Sequence, residues 1–334
     1  MRLVCGERIL VARNHDWPFG GGLVITHPKG LVKTALSPLQ PITWTSTHGS
    51  VSFTQYGRGI PFAGMNEAGL TVDLLQLRQT QFAPPNLLAG QKSVNAIQWV
   101  QYQLDTAASV VDVLASLQNV VPLPLFPSIE RVHYFVTDAS GDAAIIEFLD
   151  GQLVTQHRNG SGDALKTSVC ALSNATWSDS QAATLEQAQS DYKLMRYRLA
   201  VEATHGWDGN SDPVDYALSC LQRVRQPPFT QWNLVYDPSE KRITFRTVES
   251  PSTRWIDLDE LQLSAGDQVR LIDVQDNRTG NLQSHLTPYS RLRNDKLIDD
   301  AFANLSEFGR SPSILLRAAK TIVSRYPESL QLAP

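Results

Sequence analysis

Short apolar runs rich in β-branched residues fill the first hundred positions, and polar turn residues separate them. Gly20-Gly21-Gly22 and Pro28-Lys29-Gly30 are two of these separators. Apolar runs of this length between turn residues are typical of β-strands. We therefore predict strands at Arg8–Ala12, Leu23–Thr26, Ile42–Thr47, Ser50–Gln55 and Leu70–Leu75.

Helical spacing of apolar residues follows this region. Ser93 is expected to cap a helix that ends near Asp105, and a second helix is expected from Val110 through Leu117. A long helical pattern covers Ser180–Val201, and Pro213–Gln222 carries its proline near the start, where helices accept it.

The middle of the chain shows the clearest strand pattern, with short polar turns between apolar runs. Such turns mark antiparallel hairpins. The strands predicted here and further on are Val132–Thr137, Ala143–Leu149, Gln152–His157, Trp232–Asp237 and Arg242–Val248. Helices grouped between runs of antiparallel strands predict an α+β fold with layered packing.

The end of the chain, Asn294–Tyr326, predicts two helices broken at Gly309-Arg310-Ser311-Pro312. No repeat, low-complexity tract or linker divides the sequence. We therefore expect one domain over residues 1–334.

Composition narrows the possible functions. Of 334 residues, 42% are apolar and 19% are charged, which is globular composition. Lys and Arg number 29 against 33 Asp and Glu, so the net charge of −4 gives no reason to expect nucleic acid as a partner. No run of about 18 apolar residues is present, and no membrane span is predicted. Seven scattered histidines and three cysteines form no metal-ligand spacing, so no metal is expected.

Four polar residues stand at strand ends or turns. Arg13 and Asp16 end an apolar strand, Asn66 lies in a turn before the next, and Asn174 follows a short apolar segment. Composition alone explains each as a turn or cap residue.

Five sequence blocks that include these residues change that interpretation. In order and spacing they resemble the motifs of the choloylglycine hydrolase and penicillin V acylase family of N-terminal-nucleophile amide hydrolases, over about residues 2–263. The blocks are Arg13–Trp17, Trp44–Val51, Gly64–Leu70, Asp138–Glu147 and Leu172–Asn174.

The resemblance implies a four-layer αββα fold and an N-terminal cysteine nucleophile, with neither cofactor nor metal. The α-amino group, with a pKa of about 7.7–8.0, would serve as the base for the adjacent thiol. Carried over by residue, Arg13 would hold the thiolate, Asp16 would orient the α-amino group, and Asn66 and Asn174 would stabilise the oxyanion. The implied substrates are small N-acyl amides with an apolar acyl group, such as N-acyl amino acids, acyl-homoserine lactones, conjugated bile acids or phenoxyacetyl amides.

The N-terminus departs from this pattern. If Gly6-Glu7 forms a two-residue turn, Cys5 pairs with Arg8 and Met1 with Ala12, so the residue opposite Arg13 is the one before Met1. Cys5 would then lie roughly 16 Å from that position. We expect a structural Cys5 and a true cysteine directly upstream of Met1. Processing at Cys5 is one alternative, and a silent family member that binds small molecules is another.

Three further features limit the resemblance. Gln231 stands where the family often has an arginine, so that role is not carried over. The segment between Trp177 and Asp191 is too short to contain the extension that forms tetramers in many members. A tetramer is therefore not predicted, and a homo-oligomer of another kind is left as an alternative. The tail 265–334 matches nothing in the family.

As written, without a signal peptide, the sequence predicts the cytoplasm, whereas an upstream start with a leader would predict the periplasm or secretion.

Overall fold

The fold of the chain, given by a computed structural model, combines β-strands and α-helices. The structure describes residues 1–158, 169–204, 206–307, 313–326 and 331–332. The strands are β1 (Arg2–Cys5), β2 (Arg8–Asp16), β3 (Leu23–His27), β4 (Leu31–Thr34), β5 (Thr43–Thr45), β6 (Ser50–Thr54), β7 (Ala63–Asn66), β8 (Thr71–Gln76), β9 (Lys92–Asn95), β10 (Val120–Leu123), β11 (Val132–Thr137), β12 (Ala143–Leu149), β13 (Gln152–Arg158), β14 (Thr230–Asp237), β15 (Arg242–Thr247), β16 (Arg254–Asp257), β17 (Arg270–Asp273), β18 (Gly280–Asn281), β19 (Thr287–Pro288) and β20 (Gln331–Leu332).

The helices are α1 (Trp99–Thr106), α2 (Val110–Ser116), α3 (Trp177–Ala182), α4 (Leu185–Ser190), α5 (Tyr192–Thr204), α6 (Pro213–Arg223), α7 (Arg291–Glu307) and α8 (Ser313–Arg325). Two short 3₁₀ helices cover Leu258–Glu260 and Gln283–His285. Within the described residues, no helix is both long and apolar enough to cross a membrane.

Two helix predictions are wrong, for local reasons. The helix predicted over Ser180–Val201 is three helices. A capping box of Thr184 and Gln187 begins α4, and the extended Asp191, which accepts from the Lys193 N–H, separates α4 from α5. Ser93 does not cap a helix but lies in β9, which pairs in parallel with β10. The break predicted at Gly309–Pro312 lies outside the described residues.

The strands form two large sheets. The first has six strands in the order β1-β2-β14-β15-β16-β18, and the second has nine in the order β13-β12-β11-β8-β7-β6-β3-β17-β19. The predicted N-terminal hairpin is confirmed, with Arg2 opposite Val11 and Cys5 opposite Arg8. The predicted hairpins of β11, β12 and β13 are confirmed as well.

Side-chain alternation along the strands builds the layers. In β11 and β12, Phe135 and Ile145 pack between the two sheets, whereas Tyr134 and Ile146 face the helices. The helices on that outer face are α1, α2, α7 and α8. On the other side, α6 packs on β1 and β2. The order helix, sheet, sheet, helix is the four-layer αββα arrangement that the resemblance implies, and the α+β prediction is confirmed.

Candidate functional site

A cavity of about 840 Å³ lies at the end of β2 and extends under the helices that cover the second sheet. Its size is that of a small-molecule site. Polar lining residues come from elements far apart in sequence, namely Met1, Arg13, Asp16, Asp73, Gln76, Glu130, Asn174 and Arg196. Three of the four residues that the sequence predicted are therefore brought together here.

Arg13 is held in a fixed orientation across the two sheets. Its Nη1 donates to the Phe62 carbonyl oxygen at 2.9 Å and to Asp73 Oδ1 at 3.2 Å. The Tyr236 hydroxyl donates to the same carboxylate oxygen at 3.2 Å. Burial raises the pKa of Asp73, while the charge of Arg13 opposes the rise. The guanidinium is thus a localised positive charge at the cavity wall.

The α-amino group of Met1 lies beside this pair. It donates to the Ala12 carbonyl oxygen at 2.7 Å, and the Ala12 N–H donates back to the Met1 carbonyl oxygen at 2.8 Å. Burial lowers the pKa of the amino group from 8.0 to about 6, although the charge of Asp73 opposes the shift. Burial at this place therefore favours the neutral form of the Met1 amino group, which can accept a proton.

Asp16 and Asn174 are joined by an arginine that sequence analysis did not single out. Arg196, from α5, donates through Nη2 to Asp16 Oδ2 and through Nη1 to Asn174 Oδ1 at 3.3 Å. The Thr230 hydroxyl donates to the other oxygen of Asp16. Arg196 and Thr230 thus hold both oxygens of the Asp16 carboxylate. The carboxylate whose charge acts on the α-amino group of Met1 is Asp73.

The amide of Asn174 reaches the end of β8. Its Nδ2 donates to the Gln76 carbonyl oxygen at 2.9 Å. A primary amide nitrogen carries two hydrogens, so this bond leaves one N–H that can be offered to a ligand. Asn174 therefore lies in the cavity lining, next to the end of β8.

Asn66 does not line this cavity, so the structure does not bring all four residues together. Its Nδ2 donates to the carbonyl oxygens of Leu104 and Ala107, at 3.0 and 2.7 Å. Its Oδ1 accepts from the N–H groups of Ala68 and Leu70, at 3.1 and 3.0 Å. Both hydrogens and both lone pairs are used, so the side chain ties the β7–β8 turn to the end of α1.

His15 lines the cavity but is a poor proton acceptor. Its ring stacks on Trp232 at 4.2 Å and on Phe62 at 5.3 Å. Burial lowers its pKa to about 3, with the charge of Arg13 adding to the effect. A ring with so low a pKa is a weak base near neutral pH.

Glu130 is a second buried acid in the cavity wall. Its carboxylate accepts from Asn95 Nδ2 at 2.6 Å and from the N–H groups of Leu125 and Phe126 at 3.2 and 3.1 Å. Burial raises its pKa from 4.5 to about 7, and these hydrogen bonds oppose the rise. Glu130 thereby fixes the loop before β11 that forms part of the wall.

Cys5 and Gln231 serve the fold rather than the cavity. Cys5 is buried in the core between the first sheet and α6, and burial raises the pKa of its thiol to about 11. Gln231 Nε2 donates to the carbonyl oxygens of Trp17 and Pro228, at 2.9 and 3.1 Å. Within the described residues, no group of three or more His, Cys, Asp or Glu could hold a metal ion.

The sequence model of the linear amide C–N hydrolases, choloylglycine hydrolase family, matches residues 6–163. The match covers slightly less than half of the chain and marks a resemblance to this family. The proteins that this model describes act on carbon–nitrogen bonds of linear amides, and the match supports the same class of hydrolase for the chain.

Penicillin V acylases and a conjugated bile acid hydrolase resemble the chain over most of its length. A penicillin V acylase from Pectobacterium atrosepticum is 22% identical, over 84% of this chain and 86% of its own. The structure of a penicillin V acylase from Agrobacterium tumefaciens has a TM-score of 0.67 at 22% identity, covering 86% of this chain and 96% of its own. A variant of conjugated bile acid hydrolase from Clostridium perfringens gives 0.62 at 16% identity, covering 84% and 97%. These structures support the fold.

The sequence analysis did not identify two charged residues of the cavity, Asp73 and Arg196. Asp73 could have been found from the sequence, because it is a charged residue inside the strand Thr71–Gln76. Side-chain alternation along this strand places it on the face between the two sheets. Arg196 had none, since a charged residue in a helix is normally solvated and only the docking of α5 brings it to the site.

Proposed function

We propose that the chain hydrolyses linear amides with an apolar acyl group, using the thiol of a cysteine directly before Met1. The observation that carries the proposal is the reciprocal hydrogen bonding of Met1 and Ala12. In an antiparallel ladder, a residue pair joined by two backbone hydrogen bonds is followed by a non-hydrogen-bonded pair. The two side chains of that next pair lie closer together, on one face of the sheet. The next couple consists of Arg13 and the residue before Met1.

A thiol at that position would project into the cavity together with Arg13. The guanidinium is mostly buried, and Asp73 and the Phe62 carbonyl hold it in place. A fixed positive charge close to a cysteine lowers the pKa of the thiol and favours the reactive thiolate. No residue at or after Met1 supplies a thiol among the cavity-lining residues described.

The α-amino group of the added cysteine can carry every proton transfer of the reaction. The α-amino group of the cysteine takes the thiol proton as sulfur attacks the amide carbonyl carbon, and the carbonyl π electrons move onto oxygen. The tetrahedral intermediate collapses, the C–N bond breaks, and the ammonium group returns the proton to the leaving amine. Water then attacks the thioester, passes a proton to the same amino group, and releases the carboxylic acid and the thiol.

Asn174 is the side chain best placed to stabilise the oxyanion. One of its amide hydrogens is held by the Gln76 carbonyl, which fixes the plane of the amide. Arg196 holds the other end of the amide through Oδ1. The remaining N–H is thus preorganised, and loss of one such donor typically costs on the order of a hundredfold to a thousandfold in rate.

The test compares the chain with two forms that carry one added residue before Met1, cysteine or serine. Hydrolysis of penicillin V, an acyl-homoserine lactone and a glycine-conjugated bile acid is measured for each. The cysteine form should hydrolyse at least one substrate and lose activity after thiol alkylation, while the serine form stays far slower. Robust, alkylation-resistant turnover by the form that begins at Met1 would contradict the mechanism. Inactivity of all three forms would favour a silent binding protein.

A further inference from the structure

The C-terminal helices contribute a wall of the cavity. Phe302 and Leu305 from α7, and Ala319 and Val323 from α8, line it. These residues follow the region that resembles the family. Their side chains present only hydrocarbon to the cavity, in contrast to the polar groups around Arg13.

Three aromatic rings in successive contact connect this wall to the polar end of the cavity. The carbonyl oxygen of Phe62 accepts from Arg13, and the Phe62 ring meets Tyr56 edge-on at 5.5 Å. Tyr56 in turn meets Phe302 edge-on at 5.4 Å. Phe302 is therefore two ring contacts away from the residue that holds the Arg13 guanidinium.

The helices are also fixed to the loop between β6 and β7. The Arg58 N–H donates to Asn294 Oδ1 at 2.8 Å, and the Arg58 guanidinium lies over the Tyr289 ring at 5.0 Å. A Cβ on Gly59 would lie 2.4 Å from the Tyr326 ring, so the chain passes close against it. The wall is therefore an integral part of the cavity and not a loosely attached appendage.

We propose that α7 and α8 form the acyl-end wall of the binding cavity and set the length of acyl chain that it accepts. This inference rests on the proposed function, in which the acyl group of an amide occupies the cavity. The distal part of that group must be hydrocarbon, because a hydroxyl buried against Phe302, Leu305 and Ala319 would have no hydrogen-bonding partner among them. A linear alkyl chain meets this condition, whereas an acyl group with a distal hydroxyl does not.

The test measures binding, which the form beginning at Met1 can show without hydrolysis. A series of N-acylglycines from acetyl to palmitoyl is titrated by calorimetry. Affinity should rise about fourfold with each methylene that is buried, and level off where the chain meets the wall. A terminal hydroxyl on the longest well-bound acyl chain should weaken binding at least tenfold.

Two variants on one helix locate the wall. Ala319→Phe places a ring in the cavity, so the rise in affinity should stop at a shorter chain while short acyl groups bind as before. Ala318→Phe adds the same ring at the neighbouring exposed position of α8 and should leave the length profile unchanged. Phe302→Ala should move the limit to longer chains, which keeps the test decisive if Ala319→Phe does not fold.

Identical length profiles in all folded variants, or no binding of any N-acylglycine, would overturn the inference. A shifted length profile combined with an inactive cysteine-bearing form would instead contradict the proposed hydrolysis and leave the wall assignment standing.

Discussion

Replacing Asn66 by alanine should destabilise the fold and leave the chemistry of the cavity intact. The side chain is fully buried and makes four hydrogen bonds, to Leu104, Ala107, Ala68 and Leu70. At a net value of about 1 kcal/mol for each bond, the free energy of unfolding should fall by about 4 kcal/mol. Domains are typically stable by about 5–15 kcal/mol, so the variant should still fold at low temperature.

Urea unfolding followed by tryptophan fluorescence measures this loss. Glu67→Ala is the matched control in the same turn, because the Glu67 side chain is 30% exposed and pairs with Lys29 at 3.1 Å. Such a partly exposed ion pair contributes about 1 kcal/mol or less. In the cysteine-bearing form, the folded fraction of Asn66→Ala should keep kcat within about threefold of the parent, since Asn66 touches no cavity residue through its amide.

The opposite pattern would refute the reasoning. If Asn66→Ala unfolds at the parental urea concentration and yet loses about a hundredfold or more in kcat, Asn66 is an oxyanion donor after all. The hydrogen bonds seen to Leu104 and Ala107 would then not describe the working state.

Three further predictions follow from buried groups. Arg196→Leu should lower kcat of the cysteine-bearing form by about tenfold to a hundredfold, because charged hydrogen bonds to Asp16 and Asn174 are lost. Arg196→Lys keeps the charge and should recover part of the rate. An unaltered kcat in both variants would contradict this role of Arg196. Glu130 has a folded-state pKa raised to about 7, so its contribution to stability is present below pH 4.5 and is lost as pH rises to 7. At about 1.4 kcal/mol for each pH unit the loss is about 3 kcal/mol, and urea titrations should show that Glu130→Gln lacks it. Cys5→Ser in the cysteine-bearing form should retain activity, and an inactive but normally folded variant would revive processing at Cys5.

The strands of this fold were predictable where short turns separate apolar runs. The two-residue turn Gly6-Glu7 fixes which residues of β1 and β2 face each other, because register follows from turn length. The helices were harder to predict. Ser180–Val201 has helical spacing throughout, and local hydrogen bonds to the side chains of Thr184 and Asp191 divide it.

The site was predictable to the extent that its residues belong to sequence motifs. Arg13, Asp16 and Asn174 do so, and they meet in one cavity. Asn66 belongs to a motif as well, but a motif does not reveal whether an amide faces a ligand or a helix end. Arg196 and the α7–α8 wall depend on tertiary docking, which spacing along the chain does not encode.

The most direct test of the central claim is the mass of the reacting protein. The cysteine-bearing form is mixed with penicillin V, quenched in acid within the first turnover, and digested for peptide mapping. We predict an added phenoxyacetyl group on the N-terminal cysteine, absent after alkylation and absent from the serine form. Turnover without any such adduct, or an adduct on Cys5 or Cys170, would contradict the N-terminal cysteine mechanism.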